Sequence, residues 1–151
     1  LMQYAEFDEA VQRPEASGYD LLPANGDLVA AEVELINEDN RERRLRQIIE
    51  QVRHCYDYIV IDCPPSLNML TINAMVAADG VVIPMQCEYY ALEGLSALMD
   101  TINAIRDSLN PDLKIEGIVR TMYDPRNKLT SEVNGQLISF FEDDVYRTCR
   151  L

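Results

Sequence analysis

Histidine is nearly missing from this sequence: of 151 residues only His54 is one, beside Arg53 at the polar end of a helical stretch. A His-based triad or a histidine-rich zinc site has almost nothing to build on. The four cysteines, Cys55, Cys63, Cys87 and Cys149, form no C-x-x-C pair, so a thiol-ligated metal lacks its spacing. They read as small fillers in or near the core of a protein kept in a reducing compartment. No run of about 18 uncharged apolar residues exists, so the sequence predicts no transmembrane helix. The opening Leu1-Met2-Gln3-Tyr4-Ala5-Glu6 has no basic start and no apolar stretch, unlike a signal peptide. With Met2 in second place it does not read as a natural start either. Basic charge is scarce: 13 Lys and Arg against 26 Asp and Glu leave a net charge of −13. Phosphate backbones and anionic lipids both attract Lys/Arg clusters, so DNA contacts are expected outside this chain and membrane contact is not expected. The one basic cluster, Arg41, Arg43, Arg44 and Arg46, alternates with acids and reads as a solvated helix face.

What is present is a βα pattern. Residues 1–18 form a polar, loop-rich leader with Pro14 and Gly18, and residues 19–151 read as successive βα units of one partial domain. Tyr19 to Pro23 is a short strand candidate closed by the turn signal Asn25-Gly26, after which Asp27 is placed to cap a helix through about Asn37. Asp39-Asn40-Arg41-Glu42 has the spacing of a capping box. Behind it Leu45, Ile48, Ile49 and Val52 make an amphipathic stripe. Tyr58-Ile59-Val60-Ile61 does not alternate, and this β-branched run reads as a strand buried on both faces, as in a parallel sheet. Asn68 can start a helix with Met69, Ile72 and Val76 on one face. Gly80 to Pro84 is a second buried strand. A long helix follows, carrying Leu95, Leu98, Met99, Ile102, Ile105 and Leu109 and ending at Asn110-Pro111. Ile115 to Met122 is a third strand. Val133, Leu137, Phe140 and Phe141 mark a last helix, and Val145 to Thr148 begins a fourth strand. The alternation predicts an α/β fold, a mostly parallel sheet with helices on both faces.

Parallel sheets bind ligands at the carboxyl ends of their strands. That rule selects Asp62-Cys63-Pro64-Pro65, then Pro84-Met85-Gln86-Cys87-Glu88, then Thr121-Met122-Tyr123-Asp124. Asp62 carries the sharpest signal, because an apolar run ending in Asp is the acidic strand of phosphate-handling α/β enzymes. The alternative is that Asp62 only starts a turn or caps the next helix. Pro64 and Pro65 fix the loop and remove two backbone donors.

Tyr56-Asp57-Tyr58-Ile59-Val60-Ile61-Asp62-Cys63-Pro64-Pro65-Ser66-Leu67 resembles the acidic-strand motif of the ParA/Soj family of partition ATPases. So do Asn73-Ala74, the segment from Val82 to Gly94 through Gln86, Glu88 and Tyr89, and Thr121 to Arg126. The resemblance spans about residues 19–148. It implies a deviant P-loop NTPase fold, binding of ATP with Mg²⁺, a homodimer when ATP is bound, and weak hydrolysis stimulated by a ParB-like centromere-binding protein. It implies a cytoplasmic, nucleoid-associated protein. Carried over residue by residue, Asp62 would order the Mg²⁺ water shell, and Pro64 and Pro65 would shape the loop near the γ-phosphate. Thr121 and Met122 would lie near the base. Gln86, Glu88 and Tyr89 match a characteristic segment without an assigned role, and Tyr89, Tyr90 and Leu92 also suit a hydrophobic staple at the start of the long helix.

The family's lysine-bearing, glycine-rich phosphate loop has no counterpart here. Lys114 and Lys128 are the two lysines, one before a strand and one opening a helix. MinD-like division ATPases share the superfamily, but Pro64-Pro65-Ser66 and Glu88 to Gly94 favour ParA/Soj. A receiver domain would need a second acidic pair and a lysine after a later strand. A truncated, non-catalytic paralogue acting as an interaction module is the remaining alternative. The expectation is an ATPase whose two ends lie outside this chain, so the chain alone should show no saturable binding of ATP in calorimetry at millimolar Mg²⁺; tight binding would show that it carries its own phosphate site.

Overall fold

The computed structural model describes residues 5–88, 91–124 and 126–141, which fall into two compact units, Leu1–Ala77 and Ala78–Leu151. Tyr89, Tyr90, Pro125 and the expected strand from Val145 to Thr148 lie outside the described residues.

The first unit is helical. After a single turn of helix, α1 (Phe7–Ala10), Gln12 and Leu21 exchange two backbone hydrogen bonds of 2.8 Å in an isolated antiparallel bridge. The strand expected over Tyr19 to Pro23 is reduced to that bridge, since only Leu21 finds a partner. Helix α2 (Asp27–Leu35) starts where the turn signal places it, but its cap differs from the expectation. Gly26 holds the cap position without a side-chain cap bond, Asn25 Oδ1 one residue earlier accepts from the Asp27 N–H at 3.0 Å, and Asp27 is already helical. The capping box at Asp39 to Glu42 does not form either. Asn40 turns left-handed (φ 54°), a conformation its short polar side chain tolerates. Glu42 pairs instead with Arg41 Nε at 3.1 Å.

Helix α3 (Arg44–Val52) leaves that turn with its N-terminal N–H groups in need of acceptors. One is supplied from another helix: the Leu45 N–H donates to Asn73 Oδ1 at 3.1 Å. Asn73 is wholly buried in α4 (Met69–Ala77), and its Nδ2 donates to the carbonyls of Arg41 (2.8 Å) and Met69 (3.0 Å). The predicted stripe of Leu45, Ile48, Ile49 and Val52 is half-buried, and α3 packs against α4. On the outer side Arg46 pairs with Glu50 and Arg44 with Glu38, so the basic cluster is engaged by local acids.

Tyr58 to Ile61 overturns an expectation. The segment has no strand partner among the described residues, and Tyr58 and Val60 are each 90% exposed. A parallel strand is a pairing: β-branched composition specifies how a segment packs once neighbours exist, not that they are present.

The second unit is a βαβ unit followed by a helix. Strands β1 (Gly80–Gln86) and β2 (Lys114–Thr121) pair in parallel across α5 (Ala91–Ser108), and α6 (Lys128–Phe141) follows. Leu95, Ile102 and Ile105 of α5 are buried as the periodicity predicts, with Leu113, Ile118, Val133 and Leu137. Each such side chain contributes about 1.5–3 kcal/mol. Asn110 ends the α5 segment by donating from Nδ2 to the Ala78 carbonyl at 2.9 Å, which ties the end of the crossover to the start of β1. The pairing slips between Val81 and Val82, where Glu116 is the extra residue and Gly117 takes φ 153°, open to glycine. Contrary to expectation, β1 is buried on one face: Ile83 and Met85 are covered, while Val82 is 53% exposed and Pro84 and Gln86 are open. Pro84 suits such a strand because it brings no donor.

Asn73→Leu would leave the Leu45 N–H and the Arg41 and Met69 carbonyls without their partner, and it is expected to lower unfolding stability by about 2–4 kcal/mol in urea denaturation.

Candidate functional site

The carboxyl edge of the β1–β2 pair gathers most of the residues singled out from the sequence. Gln86 and Thr121 are register partners at the ends of the two strands. One residue further on, Met122 is 79% exposed and holds φ 50°. The Gln86 side-chain amide donates to Met122 Sδ at 3.2 Å, so a polar side chain and an apolar one stand together at the edge. Glu88 is exposed just beyond, its N–H turned back onto the Gln86 carbonyl at 2.9 Å.

A left-handed methionine costs of order 1–3 kcal/mol, and contacts of the residues around it hold the turn. The Arg120 guanidinium donates from Nη1 to Asn134 Oδ1 of α6 at 2.6 Å and lies 5.1 Å from the centroid of the Tyr123 ring. A hydrogen bond to a charged group contributes about 1.5–3 kcal/mol and a cation–π contact about 0.5–2. Cys87 is 4% exposed; burial pushes its thiol up and the Arg120 charge pulls it part of the way back. A thiol held neutral is a poor nucleophile. After Tyr123 comes an exposed fork, with Arg126 Nε and Nη2 donating to the two Asp124 oxygens at 3.0 Å. The Arg126 side chain and its backbone N–H hold the Asp124 carboxyl below its ordinary value.

Asp62, Pro64 and Pro65 belong to the first unit, where all three are exposed. Their loop is anchored at its exit. The Thr71 hydroxyl donates to the Ser66 carbonyl at 2.7 Å, and the Thr71 N–H donates to Asn68 Oδ1 at 3.1 Å. Asn68 therefore caps α4 as the sequence suggests. Glu32 of α2 accepts from Asn68 Nδ2 and from the Met69 N–H, each at 3.3 Å, so a carboxylate faces the positive end of α4. No group of three or more His, Cys, Asp or Glu side chains able to hold a metal ion exists among the described residues.

A family model described as an AAA domain matches residues 1–115. The chromosome partitioning protein ParA of Myxococcus xanthus is 49% identical over 97% of this chain and 52% of its own length. The sporulation initiation inhibitor protein Soj of Bacillus subtilis is 47% identical over 98% of this chain and 58% of its own. The chain belongs to the ParA/Soj family of chromosome-partitioning ATPases. It spans about half the length of the curated relatives it matches. Cobyrinic acid a,c-diamide synthase from Mycobacterium smegmatis, solved with bound ADP and magnesium, shares the fold with a TM-score of 0.81. It is 37% identical, over 89% of this chain and 55% of that one. The α/β architecture is that of the P-loop NTPases.

Within the family chain, Gln86, Glu88, Thr121 and Met122 come together at one sheet edge of the second unit, and Asp62, Pro64 and Pro65 lie in an anchored loop of the first. Tyr89 lies outside the described residues. Sequence reasoning passed over Arg120, which touches Tyr123, Asn134, which holds Arg120, Thr71, which touches Ser66, and Glu32, which touches Asn68 and Met69. Only the adjacency of Arg120 to Thr121 offered a signal.

A depressed carboxylate contributes stability that is present above its unfolded value and is lost as the pH falls through its lowered folded value. Arg126→Ala is therefore expected to move the Asp124 carboxyl up toward its ordinary 3.8 in an NMR titration, with high salt acting in the same direction on the intact pair.

Proposed function

We propose that the full-length protein is an ATP-binding and ATP-hydrolysing partition protein of the ParA/Soj type, acting in chromosome or plasmid segregation through nucleotide-dependent dimerisation. The observation that carries this reading is the meeting of Gln86 and Thr121 at the carboxyl edge of a parallel βαβ unit, within a chain of this family. Ligands of open α/β sheets bind at such edges. The residues present fit a nucleotide there: two polar side chains able to meet ring nitrogens or ribose, and the exposed Met122 to lie against a flat base.

Mg²⁺ fits the first unit in a limited way. Mg²⁺ keeps several waters and needs only one or two carboxylates beside the phosphates, so the single exposed carboxylate of Asp62 suits an outer role in ordering that shell. When bound, the ion would neutralise charge on the triphosphate. Pro64 and Pro65 would hold the neighbouring loop in one shape near the γ-phosphate, with Thr71 and Asn68 fixing its exit. Gln86, Glu88 and Tyr89 would join the strand end to α5. The partners on this reading are a second copy when ATP is bound, a ParB-like centromere-binding protein, and nonspecific DNA held by regions outside this acidic chain. No described helix is long and apolar enough to cross a membrane, and the site of action is the nucleoid.

In the full-length protein Asp62→Ala is expected to abolish Mg²⁺-dependent ATP turnover; hydrolysis at the wild-type rate would remove Asp62 from the site.

A further inference from the structure

Met122 is held out of the ordinary backbone regions between two residues that grip each other. Arg120 lies three positions before Tyr123, and its guanidinium reaches past the strained residue to the Tyr123 ring at 5.1 Å while bonding Asn134 at 2.6 Å. Asn134 is half-buried on α6, on the same face as the buried Thr130, Val133 and Leu137, so the grip is set into the packed side of that helix. The contact uses both properties of a guanidinium. Its fork gives a directed bond to the amide and its flat face covers the ring, which an ammonium cannot combine. The other end of Met122 is fixed as well, since its Sδ accepts from Gln86. A residue in a sparsely populated conformation persists where its surroundings over-determine it, and such places gather at ligand sites.

We propose that Arg120 is a positioning residue for the nucleotide: through Tyr123 and Asn134 it locks the turn at Met122, so that the Met122 side chain is presented to the base. This rests on the reading of Met122 as base-facing. Arg120 touches no ligand itself and acts through the turn, so its effect belongs to the base side of the nucleotide and not to the phosphates.

The experiment measures binding of MgATP and of magnesium tripolyphosphate, which has phosphates but no base, to the full-length protein by calorimetry. Arg120→Leu and Tyr123→Leu are each expected to weaken MgATP roughly tenfold while changing tripolyphosphate by less than about twofold. The double variant should be no worse than Arg120→Leu, which already removes the Tyr123 contact. Tyr123→Phe keeps the ring face and should hold the wild-type ratio. If Arg120→Leu does not fold, Arg120→Lys, which keeps the charge but not the fork, should shift the ratio in the same direction. Equal weakening of both ligands would overturn the proposal, since it signals a general structural role. So would an unchanged MgATP affinity in the Arg120 variants alongside a loss in Met122→Ala. If Met122→Ala itself leaves MgATP binding intact, the base-side reading falls and the proposal with it.

Discussion

Parallel pairing of β1 with β2 is the constraint on which the second unit depends. A parallel pair cannot be closed by a tight turn, so a crossover of a dozen or more residues must carry the chain back to the starting edge. Helix α5 is that crossover, and its buried Leu95, Ile102 and Ile105 are the return for its length. Asn110 then bonds the Ala78 carbonyl and Lys114 the Asp79 carbonyl, so β2 enters beside the start of β1. The entry register alone would set Gln86 against Arg120; the extra residue Glu116 in β2 shifts the pairing by one, so that Gln86 and Thr121 finish side by side.

The first unit depends on a different device, a single amide. Asn73 satisfies one orphan N–H at the start of α3 and two carbonyls, and it does so from a wholly buried position in α4. Buried polar groups are tolerated only when satisfied, and here the requirement fixes how α3 and α4 meet. Glu32 does the corresponding work at the start of α4. Asn73, which carries part of the family resemblance, thus has a structural role in holding two helices together.

Much of this was legible in one dimension. The helical spacing in α5 and the stripe of α3 came through because periodicity records which face is covered. The two strands came through with ends off by one or two residues, Pro84 expected against Gln86 found and Met122 expected against Thr121 found, because apolar runs mark a strand better than its last pairing. The capping assignments were less legible. Gly26, not Asp27, holds the cap position of α2, and the spacing of Asp39 and Glu42 was overridden by a left-handed Asn40. Several acceptors near one helix start are equivalent in sequence, and backbone geometry chooses among them.

The sequence by itself determined the family, the βα alternation, the acidic balance and the motif residues, since each of these lies in local order and composition. Tertiary structure alone decided that Tyr58 to Val60 stands exposed, that β1 is covered on one face, and that Arg120 reaches Asn134 fourteen positions away. The physical reason is common to all three. A β-branched run states a preference for burial and pairing, and an arginine states a capacity for five hydrogen bonds. Whether either is met depends on which groups the fold brings within reach.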